Sequence, residues 1–103
     1  MTEEGTTAEA PKAFTLKQNA PNPFNPGTAI GYELTQPGQV SLRIYDLLGR
    51  EVAVTVDGMK NAGHHEAFWN GRDSTGNPAA SGVYLYRLET GGSAETRRMM
   101  LVR

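Results

Sequence analysis

The stretch "VSLRIYDLLGREVAVTV", residues 40–56, contains two runs of alternating apolar residues on either side of a polar turn. Because side chains alternate across a strand, the apolar residues of each run share one face. They are Val40, Leu42 and Ile44 in the first run and Val52, Val54 and Val56 in the second. Between the runs, Asp46 can accept backbone hydrogen bonds and Gly49 can adopt a left-handed conformation. The stretch therefore predicts a β-hairpin.

The same two-residue period recurs along most of the remaining chain. Together with the two strands of this hairpin, at residues 39–45 and 51–56, the pattern predicts six strands. The other four lie at residues 28–34, 64–70, 82–89 and about 96–102. Residues 82–89 are apolar on both faces, as in a strand at the centre of a sheet. The Pro-Gly pair 37–38 and the Gly-Gly pair 91–92 predict hairpin turns, whereas the longer polar stretch 70–82 suits a crossing between two sheets.

The chain of 103 residues is long enough for one domain with its own core, and it has no cysteine. Six or seven short strands at this spacing predict an all-β fold, an immunoglobulin-like antiparallel β-sandwich of about seven strands. Trp69 is the expected central aromatic residue of its core. Residues 14–103 would form this domain, and the polar stretch 1–13 would be a flexible linker or an expression remnant.

Half of the six prolines lie within "PNPFNP", just before the first long strand. Prolines fix φ and hold the preceding residues extended, so the stretch has little freedom to lose on folding. Phe24 is predicted to plug one end of the sandwich. The spacing of Pro23 and Pro26 also fits a Pro-x-x-Pro ligand motif, but the large aromatic residue between them favours burial. This structural signature comprises Pro21, Asn22, Pro23, Phe24, Asn25 and Pro26.

No pattern in the sequence matches a catalytic, metal or cofactor site. The run His-His-Glu at 64–66 offers metal-ligand types, but neighbouring side chains on a strand point to opposite faces. Asn70, Asp73 and Asn77 offer oxygen ligands without the spacing of a calcium-binding loop. No serine lies in a Gly-x-Ser-x-Gly setting. The sequence therefore predicts a protein that is not an enzyme and has no cofactor.

The formal net charge of −1 gives no basic footprint for nucleic acid or for an anionic membrane. No apolar run is long enough for a membrane-spanning helix, so no membrane insertion is expected. A carbohydrate site would need a strip of exposed aromatic side chains. The aromatic residues available for such a strip are Tyr45, Phe68, Tyr84 and Tyr86. Core packing explains most of these residues more simply.

Four blocks of the sequence together resemble one known family. They are "LKQNAPNPFNPGTAIGYEL" (16–34), "VSLRIYDLLGREV" (40–52), "NAGHHEAFWNGRDSTGNPAASGVYLYRLETGG" (61–92) and "TRRMMLVR" (96–103). In this order they resemble the C-terminal sorting domain of the type IX secretion system, a family similar to the Ig-like domain of the flagellar hook-capping protein. The resemblance covers about residues 14–103.

The resemblance implies a signal domain behind an N-terminal cargo, such as a secreted hydrolase or adhesin. It would direct the cargo from the periplasm through the type IX outer-membrane translocon to the cell surface or medium, and a sortase-like peptidase would remove it. A sequence that stops directly after a basic strand fits that expectation, and the domain would be a monomer. The alternative is a structural or carbohydrate-binding Ig-like accessory module of a secreted hydrolase.

The family's motifs fall on candidate recognition residues, namely Gly82 and Tyr84 of the "SGVY" block and the basic residues Arg97, Arg98 and Arg103. An edge strand with arginines could be recognised by strand addition and ion pairs, or its charges could merely protect the edge from aggregation. The later structural signature residues are Asp46, Gly49, Trp69 and Gly71. Asn70 replaces the family's usual aspartate, Gly27 stands where threonine is common, and the arginines stand where lysines are frequent.

Overall fold

The structure, a computed structural model, describes residues 14–103, so the prediction for residues 1–13 lies outside the described part. Seven strands follow one another in this part of the chain. They are β1 (Phe14–Leu16), β2 (Thr28–Leu34), β3 (Gly38–Tyr45), β4 (Glu51–Lys60), β5 (Gly63–Trp69), β6 (Gly82–Thr90) and β7 (Ser93–Leu101). No helix in the described residues could cross a membrane.

The strands form two antiparallel sheets, one in the order β1-β2-β5 and the other in the order β4-β3-β6-β7. The apolar faces of the two sheets enclose one core because each strand buries alternate side chains. Its largest members include Tyr32, Tyr86, Phe14, Phe24 and Trp69. The all-β sandwich of about seven strands is thereby confirmed, and so is the placement of Trp69 in the core.

Three of the predicted connections are confirmed. The turn between β3 and β4 has Gly49 at φ +83°, and Gly49 N donates to Asp46 O at 3.0 Å. Gly91 and Gly92 join β6 to β7, and both have positive φ, as two-residue hairpin turns require. The stretch 70–81 crosses from the three-stranded sheet to β6, which lies between β3 and β7 as predicted for a central strand.

The prediction of a hairpin at Pro37 and Gly38 was wrong. The strands on either side of this turn, β2 and β3, belong to different sheets. The residues that flank the turn, Leu34 and Val40, are both buried, because the chain passes over the end of the sandwich and continues in the facing sheet. A Pro-Gly turn is compatible with either connection, so the local sequence did not decide between them.

The prediction that Val54 shares a face with Val52 and Val56 was also wrong. Two register shifts in the pairing of β3 with β4 place Val54 opposite Arg43 and Ala53 opposite the buried Ile44. Each shift inserts an extra residue in β4 and reverses the phase of the alternation beyond it. Ala53 is therefore the buried residue at this level, and Val54 is 41% exposed.

Residues 18–26, here called the proline segment, lie along one side of the sandwich. Phe24 is 1% exposed, and its ring lies 5.7 Å from that of Trp69, so the predicted plug is confirmed. Asn19 Nδ2 donates to Thr28 Oγ1 at 3.0 Å, and Thr28 Oγ1 donates to Pro21 O at 2.9 Å. Both polar side chains are buried and satisfied, which fixes the segment against β2.

Candidate functional site: the outer edge of β7

Strand β7 forms one edge of the four-stranded sheet and pairs with β6 without a register shift, from Thr90↔Ser93 to Gly82↔Leu101. In a hairpin with a two-residue loop, Ser93 and every second residue after it bond to the partner strand. The alternate residues direct their N–H and C=O groups away from the sheet. These residues, here called the outer row, are Ala94, Thr96, Arg98, Met100 and Val102.

The proline segment covers the C-terminal half of the outer row. Gln18 Nε2 donates to Arg98 O at 2.8 Å, and Asn22 Oδ1 accepts from Met100 N at 3.0 Å. Phe24 continues this pattern with its backbone, because its N–H donates to Met100 O and its C=O accepts from Val102 N, both at 2.9 Å. Within residues 14–103, no hydrogen bond of this kind reaches the backbone of Ala94 or Thr96 or the N–H of Arg98.

The neighbouring arginines 97 and 98 lie on opposite faces of β7 and differ in their surroundings. Arg97 Nε donates to Leu16 O at 3.1 Å and lies 3.3 Å from Glu95 Oε2, so this charge is balanced and held. Arg98 lies on the exposed face, beside Leu85 of β6. None of the ion pairs formed among the described residues involves its guanidinium group. Arg98 is therefore the arginine of this strand that can bind an anion without first losing a partner.

An open groove of about 560 Å³ follows the C-terminal half of this edge, from Arg97 to Met100. Gln18 and Asn22 of the proline segment line one side, and Val83 and Met100 contribute apolar surface next to Arg98. Met100 is 42% exposed although it is a large apolar side chain. The groove thus combines backbone groups, apolar surface and one cation that is unpaired within residues 14–103, which are the elements that a bound extended peptide uses.

Arg103 is not a free cation. Its backbone N–H donates to Ser81 Oγ at 2.9 Å, Nε donates to Ala79 O at 2.5 Å, and its terminal nitrogen donates to Gly71 O. Gly71 has φ +79°, and a Cβ atom there would lie 2.5 Å from Pro26 O. Arg103 and Gly71 therefore join the end of β7 to the loop before β6 and to the proline segment.

Gly82 and Tyr84 lie apart from the exposed face that carries Arg98. Tyr84 is buried, its hydroxyl donates to Ala80 O at 2.6 Å, and its ring meets that of Trp69 edge-on at 5.4 Å. Burial raises the pKa of this tyrosine, and the negative charge of Asp46 raises it further. Gly82 has φ +152° at the start of β6, a backbone conformation that favours glycine. Both residues support the fold around the C-terminal strand.

Asp46 organises the turn between β3 and β4. Its Oδ1 accepts from the N–H groups of Leu48 and Arg50, both at 2.9 Å, and its Oδ2 accepts from Arg50 Nε at 2.8 Å. The backbone N–H of Arg50 is the largest cause of the lowered pKa of Asp46. The turn holds Leu47 and Leu48 outward, where they are 64% and 78% exposed.

The loop after β5 is closed by its own hydrogen bonds. Asp73 Oδ1 accepts from Thr75 N, Thr75 Oγ1 and Asn77 N, at 2.7 to 3.0 Å, and the Thr75 hydroxyl is the largest cause of the lowered pKa of Asp73. Asn70 Oδ1 still accepts a bond from Arg72 N at 3.0 Å, although the family commonly has aspartate there. The described residues contain no cluster of three histidine, cysteine or acidic side chains that could hold a metal ion.

The four aromatic residues considered for a carbohydrate strip do not share one surface. Tyr84 and Tyr86 belong to the core, whereas Phe68 is 66% exposed on the three-stranded sheet and Tyr45 lies on the four-stranded sheet. Among the histidines, His65 stacks on Tyr32 at 5.3 Å and its Nε2 lies 2.7 Å from Asn61 O.

The fold and the outer row together define an immunoglobulin-like module with an accessible sheet edge. The chain belongs to the FlgD Ig-like domain family, whose model matches residues 18–93. No curated protein matches this sequence.

Three solved structures share the fold. Dimeric latent PorU from Porphyromonas gingivalis has a TM-score of 0.72 at 22% identity and is matched over 90% of this chain. PorZ from the same organism, a surface component of the type IX secretion system, has a TM-score of 0.59 at 27% identity over 84% of this chain. The chain spans 10% and 11% of those two proteins. FlgD from P. aeruginosa has a TM-score of 0.58 at 25% identity, covering 72% of this chain and 58% of that protein.

Proposed function

We propose that this Ig-like accessory module is a C-terminal sorting domain, which directs an attached cargo through the type IX translocon to the cell surface. A sortase-like peptidase would then remove the domain. The domain is the substrate of this process and has no catalytic role of its own, in keeping with an Ig-like domain family. During transit it would lie in the periplasm.

The observation that carries this proposal is the outer edge of β7. A sheet edge with accessible backbone groups is a template for pairing, and Arg98 adds a charge beside the groove that has no ion pair in the described part of the chain. The opposite edge of the same sheet, β4, is irregular because of its two register shifts. The likeness to PorZ supports the connection to type IX secretion, because PorZ is a surface component of that system and shares 27% identity with this chain.

The test is export of a reporter protein fused in front of this chain, in a bacterium with a type IX secretion system. Truncation from Arg97 onward would remove the buried residues Met99 and Leu101, so it would abolish folding as well as the proposed signal. The charge reversal Arg98→Glu changes an exposed side chain instead. Lys60→Glu, at the end of the β4 edge, is the matched control with the same change in charge.

We expect Arg98→Glu to lower the amount of exported reporter severalfold, while Lys60→Glu leaves export unchanged. Circular dichroism of both purified variants checks that they fold. If a peptidase removes the domain, the molecular mass of the exported reporter should be lower than that of the intracellular fusion by about the mass of this domain. Export that is independent of the whole domain would contradict the proposal.

A further inference from the structure

We infer that the N-terminal half of the outer row, Ala94 to Arg98, binds an extended acidic peptide as an additional strand of the four-stranded sheet. The identity of the partner as a translocon component rests on the proposed function. The binding itself depends only on the geometry of this edge and can be measured with the purified chain.

The backbone of β7 sets the length and the position of the added strand. Ala94 and Thr96 each offer an outward N–H and C=O, and Arg98 offers its N–H, because its C=O already accepts from Gln18. Beyond Arg98 the row is occupied by Asn22 and Phe24. The added strand therefore ends at Gln18 and spans about five residues, or roughly 17 Å at the usual rise of a strand.

The charges around this half of the row determine which peptide fits. Arg98 is the exposed cation of this half of the row and has no ion pair among the described residues, whereas Arg87 on the neighbouring strand is paired with Glu89 at 2.7 Å. A carboxylate opposite Arg98 would gain an ion pair, and a lysine there would be repelled. Leu85 of β6, which is partly exposed and lies opposite Arg98, offers apolar surface at this end of the row. The expected ligand thus has acidic residues on the face of Arg98, and β-branched residues at the alternate positions favour its extended conformation.

The alternative role of Arg98 is to protect the edge from pairing with other chains. This role makes a different prediction, because a protective charge lowers the binding of every extended peptide to the same degree. The sign of the peptide's charge separates the two roles.

The probes are two capped hexapeptides with the sequences Val-Glu-Val-Glu-Val-Glu and Val-Lys-Val-Lys-Val-Lys. Each is titrated into the ¹⁵N-labelled 103-residue chain at low salt and followed by NMR. We expect the acidic peptide to shift the amide signals of Ala94, Thr96 and Arg98. It should bind about fivefold more tightly than the basic peptide, a factor set by one attractive against one repulsive exposed ion pair.

The variant Arg98→Glu should reverse this preference, and Lys60→Glu should leave it unchanged. Tenfold higher salt should reduce the preference, because exposed ion pairs are screened. Equal binding of both peptides by the wild-type chain, or shifts confined to the β4 edge, would overturn the inference. If Arg98→Glu abolishes export but the peptides show no charge preference, strand addition is wrong while the sorting function stands. If the peptides show the charge preference but export does not depend on the domain, the sorting function is refuted and the peptide site is retained.

Discussion

The two edges of the four-stranded sheet are protected in different ways. The β4 edge has two register shifts opposite β3, and Ser74 N donates to Val52 O at 3.0 Å, so a loop covers part of it. The β7 edge is regular along its whole length, and the proline segment covers only its C-terminal half. Bulges twist an edge and interrupt its row of hydrogen-bonding groups. The β4 edge is thus made unsuitable for pairing by its own shape, whereas the β7 edge is blocked only where the proline segment covers it.

This difference matters because the exposed apolar side chains alone would predict that β4, and not β7, is the edge that pairs with other chains. Val54 and Met59 of β4 are 41% and 68% exposed. If its backbone were regular, β4 would therefore be the edge more prone to associate with other chains. On the uncovered half of β7 the exposed face instead carries Thr96 and Arg98, whereas the exposed apolar residues Met100 and Val102 lie in the half that the proline segment covers. An edge with a regular backbone and charged side chains favours specific, weak and reversible binding over aggregation.

The largest predicted effect concerns the segment that covers β7. Phe24→Ala should lower the free energy of unfolding by about 3 to 5 kcal/mol, because the ring is buried against Trp69. Urea denaturation measures this loss. Phe68→Ala is the matched control, since Phe68 is mostly exposed, and it should cost less than about 1 kcal/mol. A loss below about 1 kcal/mol for Phe24→Ala would contradict the role of the plug.

A proline pair tests which backbone groups of β7 face outward. Arg97→Pro removes an N–H that bonds to β6 and should cost about 2 to 3 kcal/mol beyond the loss measured for Arg97→Ala. Thr96→Pro removes an outward N–H and should cost less than about 1 kcal/mol, because proline is tolerated at such edge positions. Urea denaturation of the three variants provides the comparison. Equal losses for the two proline variants would show that the outer row is assigned incorrectly.

The end of β7 depends on a close approach at Gly71. Gly71→Ala should cost about 2 kcal/mol, because the new Cβ would meet Pro26 O at 2.5 Å and the residue would remain at positive φ. Gly76→Ala shares the positive φ but has open space around it, so it should cost about 1 kcal/mol. The difference in thermal or urea unfolding isolates the crowding. If the two variants were equally stable, Gly71 would be required only for its backbone conformation.

The smallest predicted effect concerns the turn that leads into β4. Because hydrogen bonds to the carboxylate lower the pKa of Asp46 below the ordinary 3.8, this group stabilises the folded state fully above that pH. The stabilisation is lost as the pH falls from 3.8 toward the folded-state pKa. Asp46→Asn should therefore weaken the acid dependence of unfolding, as measured by urea denaturation at a series of pH values below about 5. An unchanged acid dependence would contradict the role of this carboxylate.

Most of the strands follow from the alternation of apolar residues, because that signal is local. The failures have physical causes that act over longer distances. Strand β1 has only three residues, too few to show a period. The phase of β4 was missed at Val54 because bulges are set by pairing with β3, and the turn at Pro37 was assigned to one sheet because a turn sequence does not encode what its flanking strands pack against.

The candidate site shows the same limit. The sequence indicated a basic C-terminal strand, and the structure distinguishes its three arginines. Arg97 is paired with Glu95, Arg98 has no ion pair within residues 14–103, and Arg103 donates to the loop before β6. Arg97 bonds to Leu16, and Arg98 O accepts from Gln18, a contact across 80 residues. No local pattern marks Gln18 as part of this edge. Its only sequence signal is its place a few residues before the prolines 21, 23 and 26.

The contact between Phe24 and Leu101 has a consequence for the order in which the molecule can assemble during synthesis. The two residues are joined by a parallel bridge, yet almost the whole described chain lies between them. A ribosome must therefore produce the last strand before the ring can take its position, and until then the end of the sandwich lacks its plug. Closing so long a loop is slow compared with forming the hairpins. The newly made domain should consequently pass through a stage with paired strands and an open end.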